Sequence, residues 1–309
     1  MKPIYFIFIG VILMSTHALA NNMMSQSFFS STLHHDWAYT IYLPKNYSKD
    51  TNKHYPVLFL LHGMYDNHRT FTHHGLDKIL DAAIQKGAPE MIIVCPNGYG
   101  YSWWQNSVPY GALEDAFIKD LIPYIDYTYR TLDHPHARAI AGISMGGYGA
   151  LRFSLKYPKL FSSCTLLSPA TFYPLPGKEI PQQGAYPTDW RYSMVVDHTL
   201  KKGVFGTPFD PQEFIAQAPY SWISSYKTSG YSLSFYIYYG NKDPITDNAT
   251  LYLLETLRQN AVPFDDILMA GEHGWDVWKQ ALIYAIQKQL FREYAAEFLD
   301  NNQQLKVLQ

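Results

Sequence analysis

The sequence predicts an α/β fold, a mostly parallel, doubly wound sheet with helices on both faces. Two observations point there. Short, continuous apolar runs recur along the chain, each closed by turn residues. Stretches of helical pattern separate them, and unbroken apolar runs are the mark of strands buried on both faces.

Taken in order, His35 to Leu43 (HDWAYTIYL) reads as an early antiparallel strand. Val57 to Leu61 is a strand closed by His62-Gly63, and Met91 to Cys95 one closed by Pro96-Asn97-Gly98. Ala139-Ile140-Ala141 leads into a glycine-rich turn, and Cys164 to Leu167 ends at Ser168-Pro169. Leu233 to Tyr239 ends at Gly240, and Phe264 to Met269 ends at Ala270-Gly271. Helices are expected over 75–85, 112–129, 147–157, 248–260 and 276–298. Residues 173–227 are rich in Pro, Gly and Tyr and weakly periodic. They read as an irregular insertion over the carboxyl end of the sheet, where the strand-end loops converge.

Composition narrows the function. The 309 residues are 47% hydrophobic and 16% charged, which excludes a disordered chain. A formal net charge of -2, with no basic run, gives nothing to recruit nucleic acid. Two cysteines exclude a disulfide-built scaffold and multi-cysteine metal sites. The chain is heavily aromatic at 16%, with 26 Tyr, which suits a compact enzyme or a carbohydrate-facing protein.

At the N-terminus, Lys2 precedes an apolar run over 4–14, and Ala18-Leu19-Ala20 offers small residues where a signal peptidase reads. The run is shorter than the ~20 residues of a spanning helix. The expectation is a signal peptide over 1–20, then a single domain over 21–309, secreted or periplasmic, with no integral membrane segment after cleavage.

Gly142-Ile143-Ser144-Met145-Gly146 fits the pattern G-x-S-x-G between an apolar strand and a helix. A sharp strand-to-helix turn of this kind lifts a serine hydroxyl to the helix N-terminus, where a developing anion is favoured. A nucleophilic serine needs a base, and the base an orienting acid, in the chain order Ser, Asp or Glu, His. Only His198 and His273 follow Ser144. His198 falls in the insertion, whereas His273 follows the last strand, so His273 is the candidate base. Asp243, three residues past Gly240, is the candidate acid. Asp247 is the runner-up and better placed as a helix cap. The tetrahedral intermediate needs two backbone donors. Met145 N–H supplies one, and Met64 or Tyr65 in the loop after His62 the other, with Met64 preferred. His62 itself suits a backbone-bonding role. The pairs His34-His35 and His73-His74 lack metal-ligand spacing, and no P-loop or complete dinucleotide fingerprint occurs. No cofactor or metal is expected.

These residues resemble the esterase D family of α/β-hydrolases. That family includes S-formylglutathione hydrolases, feruloyl and acetyl xylan esterases, tributyrin esterases and mycolyltransferases. The matching stretches are Tyr42-Leu43-Pro44 with Tyr47, Tyr55 to Gly63, Ser102-Trp103-Trp104, Glu114 to Arg130, Ala139 to Tyr157, and His273-Gly274-Trp275 with Trp278. The resemblance runs from about residue 30 to about 292 and implies an α/β-hydrolase fold. It places the family's serine, aspartate and histidine on Ser144, Asp243 and His273. It also implies ester hydrolysis without a cofactor.

The expected function is that of a secreted serine carboxylesterase acting on small acyl esters, extending to aryl or sugar-linked ones. Its partner is the small-molecule or glycan-linked ester. Three alternatives stand beside it: an acyltransferase on the same triad, an S-formylglutathione hydrolase-like thioesterase, and a catalytically dead binding protein. The loop after His62 lacks the cysteine common in S-formylglutathione hydrolases. The loops at the strand ends carry Tyr65, Tyr99, Tyr101, Trp103, Trp104, Tyr173 and Trp275. Of these, Tyr65, Trp103, Trp104 and Trp275 are the candidate substrate-binding residues, able to favour a planar acyl group or a sugar face. The family's sheet order puts Cys95 and Cys164 three strands apart, about 14 Å, beyond disulfide reach.

Overall fold

The computed structural model describes residues 22–171 and 195–291. The expected signal peptide, Tyr173 with the rest of 172–194, and the chain beyond 291 lie outside the described residues.

Eight strands form one sheet. They are β1 (Met23–Ser30), β2 (His35–Tyr42), β3 (Val57–Leu61), β4 (Ile92–Pro96), β5 (Arg138–Ile143), β6 (Ser163–Leu167), β7 (Ser234–Gly240) and β8 (Phe264–Met269). Their order is β1-β2-β4-β3-β5-β6-β7-β8. β2 pairs antiparallel with both neighbours, and every pairing from β4 to β8 is parallel. The sheet is therefore mostly parallel, as the apolar runs indicate. Every residue of β3, β4, β5 and β6 is buried, which is why these strands read as unbroken apolar segments.

Alternate residues feed two cores. Val57, Phe59 and Leu61 point to one, and Leu58 and Leu60 to the other. The long helices are α1 (Leu76–Gln85), α2 (Met145–Lys156), α3 (Asp247–Gln259) and α4 (Trp275–Lys288). α2 and α3 cover the first face, α1 and α4 the second. Cys164 belongs to the first core and Cys95 to the second, and both thiols are free and buried. Opposite faces and the three-strand separation together keep them unpaired. Among the described residues, no helix is long and apolar enough to cross a membrane.

Three elements differ from the expectation. β1 carries no strong alternation and is an exposed edge strand, held as the outer arm of a hairpin. The hairpin turn is fixed by Asp120, which accepts from Ser30 Oγ at 2.6 Å and Thr32 N–H at 2.8 Å. Phe28 stacks on Tyr124 at 4.3 Å. The helix expected over 112–129 is broken into Leu113–Ala116, a π turn Phe117–Leu121 and Ile122–Thr128. Pro123 lacks an N–H for the regular ladder, and Ile122 N–H reaches five residues back to Phe117 O. The insertion, read as irregular, combines short helical pieces with a run of turns over 201–209 where described. It holds a π turn Val196–Leu200, helices Pro211–Gln217 and Ile223–Thr228, and a 3₁₀ turn between them. Each is too short to carry a clear 3.6-residue period.

Candidate active site

The turn between β5 and α2 holds Ser144 at φ 51°, ψ −113°, a conformation rarely open to a side chain. Crossing backbones impose it. A Cβ on Gly142 would collide with the Gly146 carbonyl, and one on Gly146 with the Leu61 carbonyl at the end of β3. Ser144 N–H is tied to Leu167 O at 2.9 Å, which fixes the turn against β6. The hydroxyl stands at the start of α2, whose first N–H groups lack intrahelical acceptors.

Two loops are stitched together to meet it. Asn241 N–H donates to Met269 O at 2.8 Å and Lys242 N–H to Gly271 O at 2.9 Å. Gly240 and Gly271 cross so closely that a Cβ on Gly240 would lie 2.5 Å from the Gly271 carbonyl oxygen. This crossing carries the Asp243 loop onto the His273 loop. His273 Nδ1 lies 2.8 Å from Asp243 Oδ2, and Nε2 lies 2.9 Å from Ser144 Oγ. A carboxylate can only accept, so the ring proton sits on Nδ1 and Nε2 is left to accept from the serine hydroxyl.

Asp243 is itself anchored. Its Oδ1 accepts from the N–H groups of Ile245 and Thr246, both at 2.9 Å, and its Oδ2 from Thr246 Oγ at 2.7 Å. Burial alone would raise this carboxyl. The bonds from His273 and Thr246 outweigh it and hold the group at about 2. Asp247 is four residues away at the first position of α3, where its carboxylate accepts from Asn248 N–H at 2.6 Å.

The loop after β3 faces Ser144. Tyr65 N–H donates to Gly100 O at 2.9 Å. Among the described residues, Met64 N–H has no acceptor, and Met145 N–H stands at the head of α2. His62 pins this loop. Its Nδ1 bonds Gly63 O at 2.8 Å and its Nε2 accepts from Gly98 N–H at 2.8 Å. Full burial pushes its pKa down to about 4, so the ring is neutral.

A cavity of about 250 Å³ opens beside Ser144 and His273. Tyr65, Trp103 and Trp278 give it an aromatic wall, and Val195, Ile245 and Ala249 an aliphatic one. Two tryptophans assigned to this wall from the sequence are elsewhere. Trp104 is 0% exposed and fills the core under Gly98 and Gly149, where a Cβ on either glycine would overlap its ring. Trp275 stacks on His74 at 3.7 Å, away from the cavity. Its place is taken by Trp278, one turn further along α4, whose ring stands edge-on to His273 at 5.1 Å. Which of two tryptophans three residues apart faces the cavity depends on where the helix begins, and the sequence does not mark that point. Tyr99 and Tyr101 stack on Tyr110 and His198 rather than lining the cavity. Thr246 and Asp66, both at the cavity, escaped the sequence reading; Thr246 lies one turn past Asp243, the one signal that could have marked it.

The sheet order and the strained serine at the end of β5 define an α/β-hydrolase-type fold. The chain belongs to the Esterase family, described as "Putative esterase", whose model matches residues 30–288. It is similar to "Esterase MT1326" of Mycobacterium tuberculosis, 35% identical over 131 residues, which are 40% of this chain and 27% of that protein. It is also similar to the "Endo-1,4-beta-xylanase/feruloyl esterase" of Xylanibacter ruminicola, 31% identical over 165 residues, 50% of this chain and 22% of that protein. The matches thus span about a quarter of these relatives' lengths. Among solved structures, a ferulic acid esterase superposes with a TM-score of 0.70 at 24% identity, covering 86% of this chain and 96% of the other. That last likeness concerns the fold.

Proposed function

We propose that this esterase hydrolyses carboxylic esters through a covalent acyl-enzyme on Ser144. One observation carries the reading: an unbroken hydrogen-bonded chain runs from Ser144 Oγ through His273 to Asp243 at the wall of a small cavity. In the first half-reaction Ser144 Oγ attacks the ester carbonyl while His273 Nε2 takes its proton. Met64 and Met145 N–H groups receive the oxyanion. His273 then gives the proton to the leaving alcohol, and water repeats the sequence to free the acid. Asp243 holds the ring in the tautomer this requires and stabilises its charged form.

The cavity supports a short or planar aromatic acyl group. At about 250 Å³ it lies below the ~300–1,000 Å³ common for drug-sized ligands, and aromatic rings line it. Among the described residues that line it, Asp66 is the one carboxylate, and none is Lys or Arg. The apolar run over 4–14 and the xylanase-linked relative support a place of action outside the cytoplasm.

The test is a fluorophosphonate probe together with an acyl panel. The native protein should label covalently and hydrolyse p-nitrophenyl acetate, and Ser144→Ala should do neither. Aryl acyl esters should exceed alkyl esters of equal size in kcat/KM, and Trp278→Ala should erase that preference. An unlabelled native protein would favour a dead fold used for binding. Faster transfer to an added alcohol than to water would favour an acyltransferase.

A further inference from the structure

Thr246 occupies the residue before α3, the N-cap position. A threonine there ordinarily turns its side-chain oxygen to the N–H groups of the first helical turn. Here it makes no side-chain cap bond. The side chain is 2% exposed, and its hydroxyl donates to Asp243 Oδ2 at 2.7 Å. That oxygen is the one that faces His273, and Thr246 Oγ also lies 3.5 Å from His273 Nδ1. Thr246 N–H meanwhile holds Asp243 Oδ1 at 2.9 Å. One residue therefore grips both carboxylate oxygens, with its hydroxyl diverted from the helix to do so.

We propose that Thr246 is a positioning residue for the reaction, its hydroxyl setting the orientation and basicity of Asp243 Oδ2 toward His273. The inference rests on the proposed roles of Asp243 and His273. With the hydroxyl in place, Oδ2 shares its charge between two donors. Without it, Oδ2 is a stronger acceptor for the imidazolium alone, and the base keeps its proton to higher pH. The carboxylate is also freer to rotate about its last bond. The other titratable groups around His273 are Asp66 and Tyr65 across the cavity, and Glu272 and Asp276 on its own segment. A change at Thr246 leaves all of these in place.

The experiment compares Thr246→Val and Thr246→Ser with the native enzyme. Each is assayed for kcat and KM on p-nitrophenyl acetate, for the pH profile of kcat/KM, and for thermal melting. Thr246→Val keeps the shape and loses the donor. It should lower kcat about 5–10-fold, leave KM within about 2-fold, and move the acid limb of the profile up by about half a pH unit. Thr246→Ser should restore both the rate and the limb. A native profile in Thr246→Val would overturn the proposal. So would a loss of rate with an unmoved limb that serine does not rescue, since that pattern belongs to packing alone. If Thr246→Val does not fold, Thr246→Ser decides: a shifted limb in a variant that keeps the hydroxyl refutes the assignment, and an unshifted one upholds it. Ser144→Ala, run in parallel, reports separately on the acyl-enzyme reading, because its failure to abolish hydrolysis would leave no triad for Thr246 to serve.

Discussion

Asp243 and Asp247 stand four positions apart, share a side chain, and face different chemistry. Asp243 is buried yet ionised, because four donors converge on it and hold its carboxyl at about 2. Its native value lies below the ordinary ~3.9 of the unfolded chain. The stabilisation from its ionised form is therefore complete above pH ~4 and lost as pH falls through about 2. Asp243→Asn is expected to lower kcat by ~10⁴-fold, the scale found when a triad aspartate is neutralised elsewhere. Asp247→Asn should stay within about 3-fold, since its carboxylate sits at the first position of α3 and, among the described residues, accepts only from Asn248 N–H. Steady-state kinetics on the two variants decide between them. The sequence ranks these residues only weakly, because the choice depends on the crossing of the Gly240 and Gly271 loops, two segments 31 positions apart in the chain.

At the scale of elements, the β5–α2 turn was readable because the pattern that marks it is local. Gly142 is demanded by the Gly146 backbone within the motif, and Gly146 by the end of β3 beside it in space. Gly146→Ala would drive a methyl group into the Leu61 and His62 carbonyls at the end of β3. The expected result is a loss of about 1–3 kcal/mol in stability, with activity falling further as the Met64 loop is displaced. Urea unfolding and esterase assays on the same preparation would measure both. The tryptophans show the opposite case. Trp103 and Trp104 are neighbours, yet one reaches the cavity, with its indole N–H on Thr199 Oγ at 3.0 Å, and the other fills the core against α2. Distant glycines and an insertion settle their fates, and no local pattern encodes that. The same holds for β1, which owes its strand form to β2 rather than to its own alternation.

Across the whole molecule, the parallel sheet was legible from its buried runs, and the helical covers from their periods. Less visible is the link between the carboxyl ends of β3 and β4. His62 joins them as a neutral ring, bonded to Gly63 on one side and Gly98 on the other. Its native value of about 4 lies below the ordinary ~6.5 of an unfolded chain, so this linkage too depends on pH. Above pH ~6.5 the contribution is complete, and it declines as pH falls toward about 4. The difference corresponds to about 3 kcal/mol of stability lost across that window. Denaturant unfolding at pH 7, 5.5 and 4.5 should show the decline, and His62→Gln should flatten it. A slope unchanged in the variant would assign the acid sensitivity to other groups.

The left-handed pose of Ser144 sets fitness against durability at a single codon. Glycine occupies that region of backbone space freely, whereas a serine held there carries about 1–3 kcal/mol of strain. Ser144→Gly should therefore melt higher than the native protein, less the small entropy cost glycine brings. A lineage selected for heat resistance alone would drift toward glycine at this site and fall silent. Only continued demand for the reaction keeps serine there. A library randomised at position 144 and sorted by melting temperature should rank glycine above serine, and sorted by esterase activity should return serine.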